Sequence, residues 1–286
     1  MDISIDMLIE QSGTPVSLPD AFIKINQLTQ DPNSSLADIS RVAETDIGLS
    51  SRLLKIVNSP YYGFPSSIDS ISRAIAIIGT QDLRDLMLTT TTVDLFSGKK
   101  HKQKHIQQIW RHSLYCAVNA RLLAEVTRQQ HTERFFVSGL LHDIGRLILF
   151  QGLPEATHQA INQSRETGQD LLVIEQSLLG FTHTDIGCRI AAQWNLPNNI
   201  IEAIAFHHAP EKSREFPMET TIVHIANHYA NCFDQESCMP GMPEPISQYA
   251  LDTCGLDIET VSKTLSNVSE QFSEIDNLLM QHNKAA

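Results

Sequence analysis

The chain has 286 residues, enough for one large domain or two smaller ones sharing a core. It is 42% hydrophobic but only 6% aromatic, so its packing must rest on Leu, Ile, Val and Ala. A net charge of −12 repels phosphate backbones and argues against nucleic acid as a general partner.

The opening stretch, MDISIDMLIEQSG, is acidic and poor in apolar residues, so no secretory leader is expected there. No segment approaches the ~20 apolar residues that a membrane span needs. Ser35 can cap a helix carrying Leu36, Ile39 and Val42, and Leu49, Leu53 and Ile56 mark another. Asn58-Ser59-Pro60 and Gly63-Phe64-Pro65 break the pattern into a loop. Ile71, Ala74, Ile75 and Ile78 form one helical stripe, with Ser70 to cap it and Gly79 to end it. Thr80 can cap the next helix, which carries Leu83, Leu86 and Met87.

The polar stretch Ser97 to Lys104 is a candidate linker. Its basic cluster, Lys99, Lys100, Lys102 and Lys104, reads as a solvated loop. Helices are then expected over Ile109 to Val126, Phe135 to Phe150, Leu171 to Leu178, Thr182 to Trp194, Ile200 to His208 and Thr221 to Cys232. Asp234 to Pro245, rich in proline, reads as a loop, and Ile258 to Met280 as an amphipathic helical tail. No alternating strand pattern and no internal repeat is present. The five cysteines, Cys116, Cys188, Cys232, Cys238 and Cys254, form no CxxC pair, which fits buried free thiols in a reducing compartment.

The segment around His142-Asp143 carries most of the chemistry. Val137, Leu140, Leu141, Ile144, Leu147 and Ile148 make one apolar stripe. At ~100° per residue, His142 and Asp143 fall on either side of the opposite face. Alone, the pair reads as a polar surface dyad, and each other histidine as a helix-terminal residue bonding a carbonyl. Taken jointly, His112, His142, His183 and His207-His208 place imidazoles near the ends of four helices, as a metal site would. No GxSxG elbow or phosphate-binding glycine loop is present.

These residues resemble the HD superfamily of metal-dependent phosphohydrolases, whose pattern is a histidine, an adjacent His-Asp and a later Asp. His112 and His142-Asp143, within SGLLHDIGRLIL, match the first three, and Asn227, in TIVHIANHYAN, stands where the family has its final Asp. His183 and His207-His208 resemble the extra histidines of the multi-metal HD-GYP branch. Gln108 replaces that branch's Glu, Arg146 replaces its Lys, and its GYP loop is missing after His208, which argues against cyclic di-GMP cleavage.

The first half resembles the HDOD branch, through Leu18-Pro19, Asp46-Ile47-Gly48-Leu49, Asn58-Ser59, Ser70-Ile71, Ala74-Ile75 and Ile78-Gly79. The resemblance implies an all-α bundle with an N-terminal helical subdomain (1–98) and an HD-like helical subdomain (99–286). It implies metal ligation by His112, His142, Asp143, His183, His207, His208 and Asn227, with Fe, Mn, Zn, Ni or Mg as the ion. Three functions stay open: a cytoplasmic regulatory protein binding a signalling partner or a small phosphorylated ligand, a phosphohydrolase using a metal-bound hydroxide, and a scaffold tied by its ion. No residue is assigned a catalytic role, and the oligomeric state is left open.

Overall fold

Capping residues and glycine stops punctuate the chain at short intervals, and the structure, a computed structural model, describes residues 3–12, 18–96, 104–233 and 245–280. Among the described residues every regular element is helical. The first set is α1 (Ile5–Gln11), α2 (Asp20–Gln30), α3 (Leu36–Glu44), α4 (Ile47–Val57), α5 (Ile71–Ile78) and α6 (Thr80–Leu95). Ser35 and Asp38 form a reciprocal capping box on α3, Asp46 caps α4 and Ser70 caps α5. Gly79, at φ 88°, ends α5 and is itself the cap position of α6. Thr80 is therefore the first helical residue and not the cap, because the turn between the two helices is a single glycine. The sequence pattern misses α1 and α2. α1 buries only Leu8 and Ile9, too few to show a stripe.

The loop after α4 is pinned by Asn58. Its Nδ2 donates to the carbonyls of Leu54 and Ile68, each at 2.7 Å, and its Oδ1 accepts from Ile68 N at 2.7 Å. The pinned loop presents Tyr61 and Tyr62 to Arg121, whose guanidinium lies 4.1 and 4.8 Å from the two ring centres.

The second set is α7 (Lys104–Val126), α8 (Glu133–Leu141), α9 (Ile144–Gly152), α10 (Pro154–Thr167), α11 (Leu171–Leu179), α12 (His183–Gln193), α13 (Asn198–Phe206), a 3-10 turn (Pro210–Lys212), α14 (Pro217–Phe233), α15 (Gln248–Cys254), α16 (Ile258–Thr264) and α17 (Val268–Met280). α7 is the central element, packed by α8, α14 and α17. Trp110 donates to Asp276 Oδ1 at 2.7 Å, and Tyr115 stacks on Phe272 with ring centres 3.9 Å apart, which seats α17 along α7. The expected helical tail is thus two helices, divided after Thr264. The basic cluster, save Lys104 at the start of α7, and all but the last residue of the proline-rich loop lie outside the described residues. Cys116, Cys188, Cys232 and Cys254 are free; Cys116 and Cys254 are buried, but Cys232 is exposed near the end of α14, and Cys238 lies outside the described residues.

One departure matters for function. The helix expected over Phe135 to Phe150 is broken at His142 and Asp143, between α8 and α9. His142 Nδ1 donates to the carbonyl of Gly139 at 2.7 Å, the carbonyl an unbroken helix would offer to residue 143. Asp143 then sits at φ −105°, ψ 17°, outside the helical well.

Candidate metal centre

Two close helix crossings assemble the site. A Cβ at Gly139 would lie 2.8 Å from Ala117 Cα, so α8 approaches α7 closely and brings His142 to His112. A Cβ at Gly145 would run into the backbone carbonyl of His183, so α9 presses on α12 and brings Asp143 to His183. His183 is the first residue of α12, held there by the Thr182–Asp185 capping box. His207 and His208 follow the last turn of α13.

Asp143 stands at the centre and faces two groups. Its Oδ2 is 3.5 Å from His112 Nε2 and 3.4 Å from His142 Nε2, and the two imidazole nitrogens are 3.3 Å apart. Its Oδ1 is 3.3 Å from His183 Nε2 and 3.7 Å from His207 Nε2, with His208 Nε2 3.2 Å from that of His183. Within each group the ligand atoms all lie within 4.8 Å of one another. Metal–nitrogen bonds of ~2.0–2.1 Å put neighbouring ligand atoms ~3.0 Å apart in an octahedron and ~3.4 Å apart in a tetrahedron. The spacings of 3.2–3.4 Å match coordination edges and those of 3.5 and 3.7 Å are slightly longer, with the carboxylate placed between two half-sites.

The hydrogen bonds around the imidazoles fix which nitrogens face inward. His142 Nδ1 donates to Gly139 O, His183 Nδ1 to Glu175 Oε2 at 2.7 Å, and His207 Nδ1 to Ile204 O at 2.9 Å. His183 and His207 are held neutral, so their Nε2 atoms are lone pairs aimed at the Asp143 carboxylate, and His142 Nε2 becomes one once its ring gives up its proton. Both Asp143 oxygens and His207 Nε2 are buried without a hydrogen-bond partner. Acceptors facing acceptors in a dry interior are stabilised by positive charge between them, which a bound ion would supply beside Arg146. The residues fit a divalent ion on these grounds.

The electrostatics point the same way. Burial pushes His112 down to about 3 and lowers His183 and His207 as well, which keeps these rings neutral. Burial would raise Asp143, but Arg146 and His142 outweigh it and hold the carboxyl ionised. Glu175 is likewise held below its ordinary value against burial by His183. His142 is the exception: burial lowers it, but Cys116 and Asp143 overcome this and hold it well above the ordinary imidazole value. Three neutral imidazoles beside an ionised carboxylate are ready to take a metal, and His142 must first lose a proton.

His142 and Asp143 are 0% and 1% exposed, so they are no surface dyad. The surface reading failed because α12, α13 and α14 cover the face that one helix alone would leave to solvent. Asn227, on α14, lies beside His112 and receives Asn231 Nδ2 at 3.4 Å. Gln108 hydrogen-bonds His105. Arg146 is no surface residue either; its side chain is 11% exposed and its Nε lies 3.0 Å from Asp143 Oδ1. Two residues escape the sequence reading, Glu175 and Cys116. Glu175 carries a detectable signal, a lone carboxylate inside the apolar run LLVIEQSLL of α11.

The HDOD domain profile matches residues 16–210. A curated relative, an uncharacterised protein of Treponema pallidum, is 25% identical over 88% of this chain, which spans only 49% of that protein. The chain thus spans about half the length of this relative. A crystal structure of an HDOD domain protein of unknown function from Geobacter sulfurreducens aligns with TM-score 0.72 and 24% identity, over 97% of this chain and all of that one. A candidate phosphohydrolase from Shewanella amazonensis aligns with TM-score 0.67 and 21% identity, over 97% of each chain. At these identities the likeness is one of fold.

Proposed function

The chain belongs to the HDOD domain family, and from that premise we propose that it is a metal-binding regulatory protein. It holds a divalent ion at the Asp143 centre and acts by binding a signalling protein or a small phosphorylated ligand. The observation that carries the metal reading is the convergence of orphaned acceptors on Asp143. His112, His142, Asp143, His183, His207 and His208 would supply the ligands, with Asn227 beside His112 as a further, uncharged one.

Regulation is preferred to turnover because of charge. Asp143 is the one carboxylate among these ligands, and the positions where the related hydrolase pattern has acids hold Gln108 and Asn227. An amide oxygen can ligate an ion but does not neutralise it, so the ion is held less firmly. Among the described residues no helix is long and apolar enough to cross a membrane, and we place the protein in the cytoplasm.

A second reading, a metal-dependent phosphohydrolase, is favoured by the full set of imidazoles and by Arg146, whose guanidinium suits a phosphate. A bound divalent ion would supply Lewis acidity there. The deciding experiment assays bis(p-nitrophenyl) phosphate and p-nitrophenyl phosphate with metal-loaded protein. The regulatory reading expects no turnover above that of His142→Ala. Metal-dependent turnover lost in His142→Ala would overturn it in favour of the enzyme.

A further inference from the structure

Arg146 sits on the same carboxylate oxygen that one half-site needs. Its Nε is 3.0 Å from Asp143 Oδ1, the oxygen that also faces His183 and His207. Oδ2, which faces His112 and His142, is left to those imidazoles. The pair is local: Arg146 is in the first turn of α9, three residues after Asp143, and its backbone N–H bonds the Asp143 carbonyl at 2.9 Å. Yet Arg146 Nε makes no aligned hydrogen bond to any acceptor, so charge and not hydrogen-bond geometry holds the guanidinium on Oδ1. At 11% exposure it also lies nearer solvent than Asp143, which is 1% exposed.

The buried carboxylates that meet the site's imidazoles are Asp143 and Glu175. Two divalent ions with Arg146 would set five positive charges against two negative ones in an interior that screens poorly. One divalent ion with Arg146 leaves a far smaller excess.

Resting on the metal reading above, we propose that Arg146 is a built-in counter-cation that competes with a divalent ion for the His183–His207–His208 half of the site. The protein loads that half only by displacing the guanidinium, and Arg146 thereby sets the metal stoichiometry. The ion held by His112, His142 and Asp143 Oδ2 meets no such competitor.

The test is calorimetric titration of metal-free, full-length protein with Mn2+ alone, with bound metal counted by elemental analysis. The wild type is expected to bind one equivalent and then a second at least tenfold more weakly, and His208→Ala is expected to lose the weaker one. Arg146→Gln should tighten the second equivalent tenfold or more. Arg146→Met, which keeps the aliphatic stem, should do the same and serves if the glutamine variant does not fold. Arg146→Lys, which keeps the charge, should stay within threefold of the wild type. Two equal equivalents in the wild type, or a second affinity unmoved by both neutral variants, overturns the role of Arg146 and leaves the metal reading standing. Absence of Mn2+ binding in the wild type and in every Arg146 variant overturns the metal reading itself.

Discussion

Glu175→Gln separates a positioned metal site from a chance cluster of histidines. Glu175 Oε2 accepts from His183 Nδ1 at 2.7 Å and from His183 N at 2.9 Å, and the carboxylate is 3% exposed. It fixes the ring so that Nε2 faces Asp143, and its charge makes that nitrogen a better donor to an ion. Losing such a partner costs about 10–100-fold in metal affinity, or ~1.4–2.7 kcal/mol. Glutamine keeps an acceptor oxygen and loses only the charge, so the expected loss lies near tenfold. Metal-free stability should fall by ~1–3 kcal/mol as two charge-assisted bonds become neutral ones. The pH dependence has a definite sign. His183 holds the Glu175 carboxyl below 4.5, so its stabilisation is present above that pH and is lost as pH falls through the lowered value. Glu175→Gln should lack that acid-side decline. Calorimetric metal titration and thermal unfolding from pH 3 to 7 read both effects. A folded Glu175→Gln protein with wild-type metal affinity would refute the positioning role.

Asn227→Asp should tighten metal binding, because it puts a second carboxylate beside His112; titration of the variant checks this, and unchanged affinity would separate Asn227 from the centre. Metal affinity should rise with pH by up to tenfold per pH unit, since His142 is held protonated and must release that proton to ligate; titration at pH 6, 7 and 8 shows the slope. Asp85, 1% exposed on α6 beside Arg84, has its carboxyl raised by burial to about 6. A raised acid favours the folded state at low pH, and that contribution, on the order of 3 kcal/mol for a gap of this size, is lost as pH rises through 6. Asp85→Asn should flatten the change in unfolding free energy between pH 4 and 7. Gly145→Ala would drive its Cβ into the His183 carbonyl and should cost at least ~1–3 kcal/mol together with metal affinity; a variant as stable as wild type would place the α9–α12 crossing elsewhere.

The parts of this architecture legible in the sequence are those fixed by local chemistry. Ser35, Ser70 and Thr182 announce their helices because a side-chain oxygen meets an unpaired N–H within three residues. The helical character of the chain follows from the same signals and from the spacing of Ile71, Ala74, Ile75 and Ile78. The environment of His142-Asp143 was not legible in this way. A single helical wheel turns the pair toward solvent, while three later helices bury it, and the break at Asp143 depends on a side-chain bond that no periodicity encodes. Glu175 reaches His183 across a turn at Gly180, a contact between two helices and not within one. The partner of Arg146, the buried Asp143, is hidden from the sequence for the same reason.

The metal centre is tested most directly by the metal content of the purified, untagged protein beside that of His142→Ala. A metal centre at Asp143 should leave about one equivalent of divalent metal in the wild type after buffer exchange, and none in a His142→Ala variant that remains helical by circular dichroism. A wild type that takes up no manganese, iron, zinc, nickel or magnesium, or a His142→Ala protein that keeps its full complement, would contradict it.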